Sequence, residues 1–427
     1  MTLTDEQIKM AQEELGDQLK EILDKQAKND LEKKKNEIKK IIEKEKKITL
    51  KDVYETAEKY LHINDKNRID IILATALSNQ IEGTPIWLFI VGNSGDWKSA
   101  FASSLEILPN VKKIDQLTRN TLATGLADTW DLGCDLENKS TILLFPDLAS
   151  LTSMNTDEKN AIWGQFRSLY DGDIFKSTGG GVKKAYENCH VTILACTTQA
   201  IRDEILIHAQ LGTRELMYDT ETDTVDNDFK MNKAWENEQY EKQMKQDLQR
   251  VVYSFLQNHK IQDIEIPYKI KEFLKKESNK LSILRASAAV DRKNRELINP
   301  VYPEVPTRLI KQFKRIYIAL KSLDPDYPDK KCKAIIKRIV NSSGHKVRQQ
   351  ILDVIKKESD KKFKIPDIHK ITKIGRFSIK SQLEILWNLD IVTKEIIEER
   401  IGGHWDSYEN KIIGGKIEEV SYYQYKE

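Results

Sequence analysis

The chain has 427 residues, more than one ordinary core accommodates and enough for two or three domains. A hydrophobic share of 39% supports real cores, a charged share of 32% implies much solvated helix surface, and a net charge of +2 makes no global field for nucleic acid, so any such site must be a local patch. Four cysteines without a C-x-x-C pair argue against disulfides and structural zinc; there is no N-terminal apolar segment of signal length and no run near the roughly 18 to 20 apolar residues of a membrane span, so a cytoplasmic protein with no membrane contact is expected.

Residues 1–48 are rich in Lys, Glu and Gln, and Leu15, Leu19, Ile22, Leu23, Ile38, Ile41 and Ile42 recur at helical spacing. This predicts a charged helical N-terminal segment, read as a solvated surface helix, with a short coiled coil or an arm for a replication partner as the alternatives. From Thr49 to Glu82 the pattern predicts two amphipathic helices packed on the domain that follows.

Ile86-Trp87-Leu88-Phe89-Ile90-Val91 is a short unbroken apolar run, the mark of a buried parallel strand. It breaks into Gly92-Asn93-Ser94-Gly95-Asp96-Trp97-Lys98-Ser99, close to the phosphate-loop pattern G-x-x-x-x-G-K-[ST] except that Trp97 stands where glycine is usual. In such a loop the backbone amides turn onto phosphate oxygens, Lys98 reaches the β/γ phosphates of ATP and Ser99 ligates Mg2+. An indole at position 97 must either accept a backbone conformation closed to most side chains or alter the loop.

A second buried strand, Thr141-Ile142-Leu143-Leu144-Phe145, ends in Pro146-Asp147. A carboxylate at a strand's C-terminal edge beside a phosphate loop suits magnesium or the attacking water. A helix is predicted over 157–170, then a hairpin over 174–186, whose Lys176, Lys183 and Lys184 suit a phosphate-backbone contact. The strand His190 to Cys196 ends in Thr197-Thr198, where a polar group lies between neighbouring strand ends and can sense the γ-phosphate. Arg214 follows Leu211-Gly212-Thr213, a position open to an interprotomer arginine finger or to an ordinary surface arginine.

This ordered series resembles the AAA+ ATPases of phages and mobile elements related to minichromosome maintenance (MCM) helicases. The resemblance is carried by Tyr60-Leu61 through Ile71-Ile72-Leu73-Ala74-Thr75, Pro85-Ile86-Trp87-Leu88, Leu143 to Leu151, Phe166 to Gly172 and Leu211 to Arg214, and covers about residues 55 to 325. It implies a pre-sensor hairpin on DNA at 174–186, a first sensor at Thr198, a finger at Arg214, and a helical lid carrying a second sensor at Arg308, with Arg285 as its rival.

Residues 328–380 hold 16 Lys/Arg against 5 Asp/Glu, a local basic patch hidden by the balanced total. Helices from Val347, Ile365 and Gly375, then a strand from Ile391 and a Gly402-Gly403 turn, suggest a winged helix that places Arg376 and Lys380 in a major groove, or a protein-docking version of that fold. The expected architecture is therefore α/β: a charged N-terminal segment (1–48), an AAA+ P-loop core (49–218), a helical lid (219–325) and a winged-helix domain (326–427). The expected activity is that of an ATP-driven DNA translocase or helicase working as a hexameric ring in replication of a mobile element. The alternatives are a nucleotide-switched initiator, loader or regulator, and a non-hydrolysing AAA+ scaffold.

Overall fold

Apolar runs of strand length, buried on both faces, form the centre of the protein. The computed structural model describes residues 48–61, 63, 65–126, 129–179, 181–202, 204, 213–220, 227–288, 297–401, 404–406, 411–413 and 416–426. The expected N-terminal segment, Leu211-Gly212, most of the acidic connection at 219–228 and the Gly402-Gly403 turn lie outside the described residues.

Helices α1 (Leu50–Tyr60) and α2 (Lys66–Ser78) lead into β1 (Trp87–Val91). Thr49 starts α1 with a capping box closed by Asp52, which satisfies end amides reciprocally. After the loop come α3 (Lys98–Ala102), a 3-10 turn over Ser103–Ile107, β2 (Val111–Lys113), α4 (Leu132–Leu136) and β3 (Ser140–Phe145). Then follow α5 (Ala149–Thr152), α6 (Thr156–Asp171), the strands β4 (Ile174–Ser177) and β5 (Lys183–Tyr186), and finally β6 (His190–Thr197) and β7 (Leu216–Asp219).

The main sheet has the order β2-β3-β6-β1-β7, with every neighbouring pair parallel. Leu88 and Ile90 of β1 face α2 and Phe101, while Trp87, Phe89 and Val91 face α6 on the other side. Trp87 meets Phe166 and Tyr170 edge to face at 5.7 and 5.0 Å, and its indole N–H donates to the Val191 carbonyl at 2.8 Å. Burial of both faces explains why the strands read as unbroken apolar runs rather than alternating ones.

Five helices follow: α7 (Asn227–Asn237), α8 (Glu241–Gln257), α9 (Tyr268–Arg285), α10 (Thr307–Lys321) and α11 (Asp329–Ser343). The expected face of α8, Val251, Val252, Phe255 and Leu256, is buried. Helix α11, which follows the boundary expected at 325/326, packs on the core sheet. Helix α11 lies along the sheet edge: its Ser343 and Ser342 hydroxyls accept from the Met217 and Asp219 amides of β7 at 2.8 and 3.0 Å. An edge strand presents unpaired amides that need such a cover, so α11 belongs with the core.

The chain then forms α12 (Lys346–Lys357), α13 (Ile365–Thr372), α14 (Arg376–Asn388) and four strands, β8 (Val392–Ile401), β9 (His404–Asp406), β10 (Lys411–Ile413) and β11 (Lys416–Tyr425). Strands β8 and β11 pair antiparallel over ten residues, and β9 pairs antiparallel with β10. Buried Arg348 of α12 donates to the Ile283 and Leu284 carbonyls and fastens this unit to α9. Among the described residues no helix is long and apolar enough to cross a membrane.

Candidate nucleotide-binding site

The loop after β1 turns directly into a short helix at Lys98, and its tryptophan stands at the turn. Trp97 takes a left-handed conformation (φ 55°, ψ 7°) and is the N-cap of α3, at a cost of about 1–2 kcal/mol for a residue with a Cβ. Its half-buried indole packs on the core. Of the two outcomes expected for an indole at position 97, the left-handed backbone conformation is the one observed. Gly92 is needed for a different reason, since a Cβ there would stand 2.0 Å from Thr220 Oγ1. Asn93, Ser94 and Gly95 are exposed at the rim.

Lys98 is buried and its Nζ donates to the Asn93 carbonyl at 2.7 Å, so the ammonium lies inside the loop. Ser99 Oγ donates to the Pro146 carbonyl at 2.6 Å, which brings it beside Asp147 across the end of β6. Asp147 is exposed and its Oδ1 accepts from the Ala149 amide at 2.8 Å. Strand β6 separates β1 from β3, and its end ties both: the Thr197 carbonyl accepts from Gly92 at 3.1 Å and the Cys196 carbonyl from Leu148 at 2.9 Å. Lys98, Ser99, Asp147 and the Thr197-Thr198 strand end therefore gather at one end of the sheet.

Thr198 sits half-buried just past β6, while Thr197 is fully buried and its hydroxyl has no partner among the described residues. Thr197 is a rival sensor that the sequence did not separate from its neighbour. Cys196 also escaped the sequence reading; burial pushes its thiol up to about 12 against the pull of Lys98 and Ser99, so it stays protonated in the floor of the site.

Asp96 does not face the rim. Its carboxylate is buried, 3.1 Å from Arg68 Nη1, which also donates to the Asp96 carbonyl at 2.7 Å. Arg68 comes from α2, whose apolar sequence gave no sign of a loop clamp. Removing one member of a buried ion pair strands the other charge, at about 3–5 kcal/mol. Arg68→Ala leaves the Asp96 carboxylate to Lys230, 3.5 Å away, and is expected to lower stability in urea unfolding by less than that amount, whereas Asp96→Asn leaves Arg68 buried beside a neutral amide and is expected to lose the full amount.

Arg214 and Arg308 are elsewhere. Arg214 precedes β7, so it lies at the N-terminal end of the parallel strands, roughly 20 Å along the strand direction from the phosphate loop. It binds Asp171 at 3.1 Å and stacks on the Tyr170 ring. Arg308 donates to the Thr213 carbonyl at 3.2 Å and stacks on the same ring. Arg285 is buried, donating to the carbonyls of Glu215 and Ser343, where it joins α9 to β7 and α11. An open cavity of ≈ 640 Å³ at this same end is lined by Glu82, Tyr170, Asp171, Asn188 and His190. It is remote from the loop.

No protein-family model matches this chain, and no curated protein matches it.

Strands β4 and β5 pair as the expected hairpin, with Lys176 opposite Lys184 and Ser177 opposite Lys183. Strand side chains alternate between faces, and this register turns Lys176 and Lys184 inward together. Lys176 Nζ donates to Asn120 Oδ1 and the Ala123 carbonyl, both at 2.7 Å. Lys184 lies 2.8 Å from Asp131. Burial opposes ionisation of Asp131, but Lys184 and the Thr124 amide hold its carboxyl below the usual range. The outer face carries Phe175 and Lys183 instead, both exposed. In the C-terminal unit Arg376 is exposed and Lys380 half-buried, one turn apart on α14. Among the described residues no group of three or more His, Cys, Asp or Glu could hold a metal ion.

Proposed function

We propose that this chain binds ATP with Mg2+ and hydrolyses it to move along DNA, as a ring-forming AAA+ ATPase of the MCM-related kind. The observation that carries this reading is the Ser99–Pro146 hydrogen bond, which brings Ser99 to the residue preceding Asp147 at the end of β3 while Lys98 is held inside the loop. Two oxygen donors suit a hard cation that keeps several other oxygen ligands, and a lysine inside a loop of inward-turning backbone suits phosphate. When bound, magnesium ATP supplies the phosphoryl group and the cation that shields its charge. Lys98 would offset charge developing on that group, Ser99 and Asp147 would hold the cation, and Thr197 or Thr198 would orient water from the intervening strand end.

DNA contact is assigned to the outer face of the hairpin, through Lys183 and Phe175, and to Arg376 and Lys380 in a winged helix. A basic side chain reaches the phosphate backbone, and an exposed aromatic offers a face for base stacking. The test is ATP hydrolysis by the full chain with and without DNA, together with strand separation on a forked duplex. Turnover stimulated several-fold by DNA and unwinding that requires ATP are expected; absence of turnover leaves the non-hydrolysing scaffold.

The inward set of Lys176 and Lys184 favours a second reading, a nucleotide-switched DNA-binding initiator or regulator whose hairpin holds no strand. Sequence-specific binding without strand separation selects it.

A further inference from the structure

Helix α7 is turned inside out. Its three least exposed positions, Lys230, Lys233 and Asn237, face the protein: Lys230 Nζ lies 3.5 Å from Asp96 Oδ1, Lys233 donates to the Glu58 carbonyl, and Asn237 donates to the Tyr60 carbonyl at 2.7 Å. Its large apolar side chains point away. Met231 is 60% and Trp235 82% exposed, with Tyr240 just beyond the helix at 47%. A helix on a monomeric protein normally puts its apolar stripe inward and its charges outward. The reverse arrangement, directly beside the phosphate loop, marks a surface that another protein covers.

A second exposed apolar group lies at the opposite end of the strands. Ile298, Tyr302 and Val305 are 61, 79 and 73% exposed on the segment leading into α10. Between them Glu304 approaches Arg285 and Arg308 at 3.7 and 3.9 Å, and Arg308 reaches the Thr213 carbonyl next to Arg214. The flanking charges are complementary. Around the α7 patch four exposed acids, Asp228, Glu236, Glu238 and Glu241, outnumber the exposed Lys242, whereas α10 presents Arg308, Lys311 and Lys314 beside Val305.

We propose that α7 of one protomer docks on the 298–305 segment of the next, so that a second copy of this chain is the occupant of both patches. This inference rests on the reading of Arg214 as a residue that serves a neighbour's phosphate loop. The contact joins two different patches, so it is head to tail and propagates around a ring or along a filament. It carries Arg214 and Arg308 of one copy toward Lys98 of the other, and Trp235 and Tyr302 are the large aromatic anchors such an interface concentrates its affinity in.

Two variants test it, each altered at a residue whose exposure leaves the fold intact. Trp235→Glu and Tyr302→Glu are each expected to weaken self-assembly by about 30-fold or more, read by light scattering with ATP and magnesium present, with unchanged melting temperatures. Trp235→Glu keeps an intact 298–305 segment and Tyr302→Glu an intact α7, so an equal mixture of the two is expected to form dimers that neither forms alone. A wild-type chain that stays monomeric, assembly unaffected by either variant, or a mixture that stays monomeric overturns the proposal. Mass is measured independently of turnover, so failure of the ATPase reading alone would appear as assembly without hydrolysis.

Discussion

Lys98→Ala is expected to lower kcat for ATP hydrolysis by about 10²–10³-fold, the scale of removing one preorganised charge from a developing phosphoryl group. The expectation follows from where the ammonium is held. Lys98 is buried, and the hydrogen bond from its Nζ ends on the Asn93 carbonyl within the same loop. A neutral carbonyl compensates a buried ammonium only in part, so phosphate oxygens entering the loop offer a stronger partner. The substitution removes that exchange and leaves the rest of the site alone, since Ser99 keeps its bond to Pro146 and Asp96 its pair with Arg68. The melting temperature without nucleotide should therefore stay near wild type, whereas the rise produced by added ATP and magnesium should shrink. Lys98→Arg is not a rescue, because the planar guanidinium is bulkier than an ammonium held between Asn93 and the loop backbone. Hydrolysis unchanged in Lys98→Ala would sink the assignment of Gly92 to Ser99 as a phosphate loop.

Continuous features were legible in the sequence and spatial ones were not. Residues 87–91 announce a buried parallel strand because both faces are covered, and the next eight residues carry the loop chemistry in unbroken order. The hairpin too was readable, from three glycines between short strand-like pieces. Which lysines it shows to solvent was not, because facing depends on pairing register: Lys176 and Lys184 share one face with each other and with Asp131, while Lys183 takes the other. The basic stretch 328–380 misled for a related reason. Part of its charge is used inside the fold, where Arg338 lies 2.9 Å from Asp65, Lys331 lies 3.6 Å from Asp70, and Lys346 pairs with Asp219. Burial raises the pKa of Asp70, and the hydroxyls of Tyr54 and Tyr327 together with Lys331 act against that rise. These acids sit on α2, its lead-in and β7, more than 100 residues earlier in the chain, so a local count of charges sees only one side of each pair.

Arg214→Ala is expected to have the larger effect, a loss of about 10³-fold or more in kcat, the range measured when an arginine is withdrawn from a phosphoryl-transfer site. Within one chain the residue cannot act on its own nucleotide. Arg214 precedes β7, whereas the loop follows the parallel strand β1, and the intervening strand length is roughly 20 Å. The loss should therefore fall on kcat, with the nucleotide dissociation constant nearly unchanged. Arg214 is itself buried, and the substitution removes its bond to Asp171 and its stacking on Tyr170 while the Arg214 carbonyl that Gln312 holds at 2.8 Å remains, so the melting temperature of the variant is measured alongside its turnover. Asp171→Ala removes the same ion pair from the other side, and its exposed carboxylate makes it the control, expected to keep most activity. Arg214→Lys should restore little, since an ammonium lacks the fork that spans two phosphoryl oxygens. The deciding measurement mixes two inactive proteins. Arg214→Ala retains a complete phosphate loop and Lys98→Ala retains a complete arginine, so mixed assemblies regain turnover at the loops of the former if the arginine is lent between copies. Activity that never rises above the two separate backgrounds, at any ratio of the two in assemblies shown to be mixed, would assign Arg214 to the support of Tyr170 and Asp171 alone.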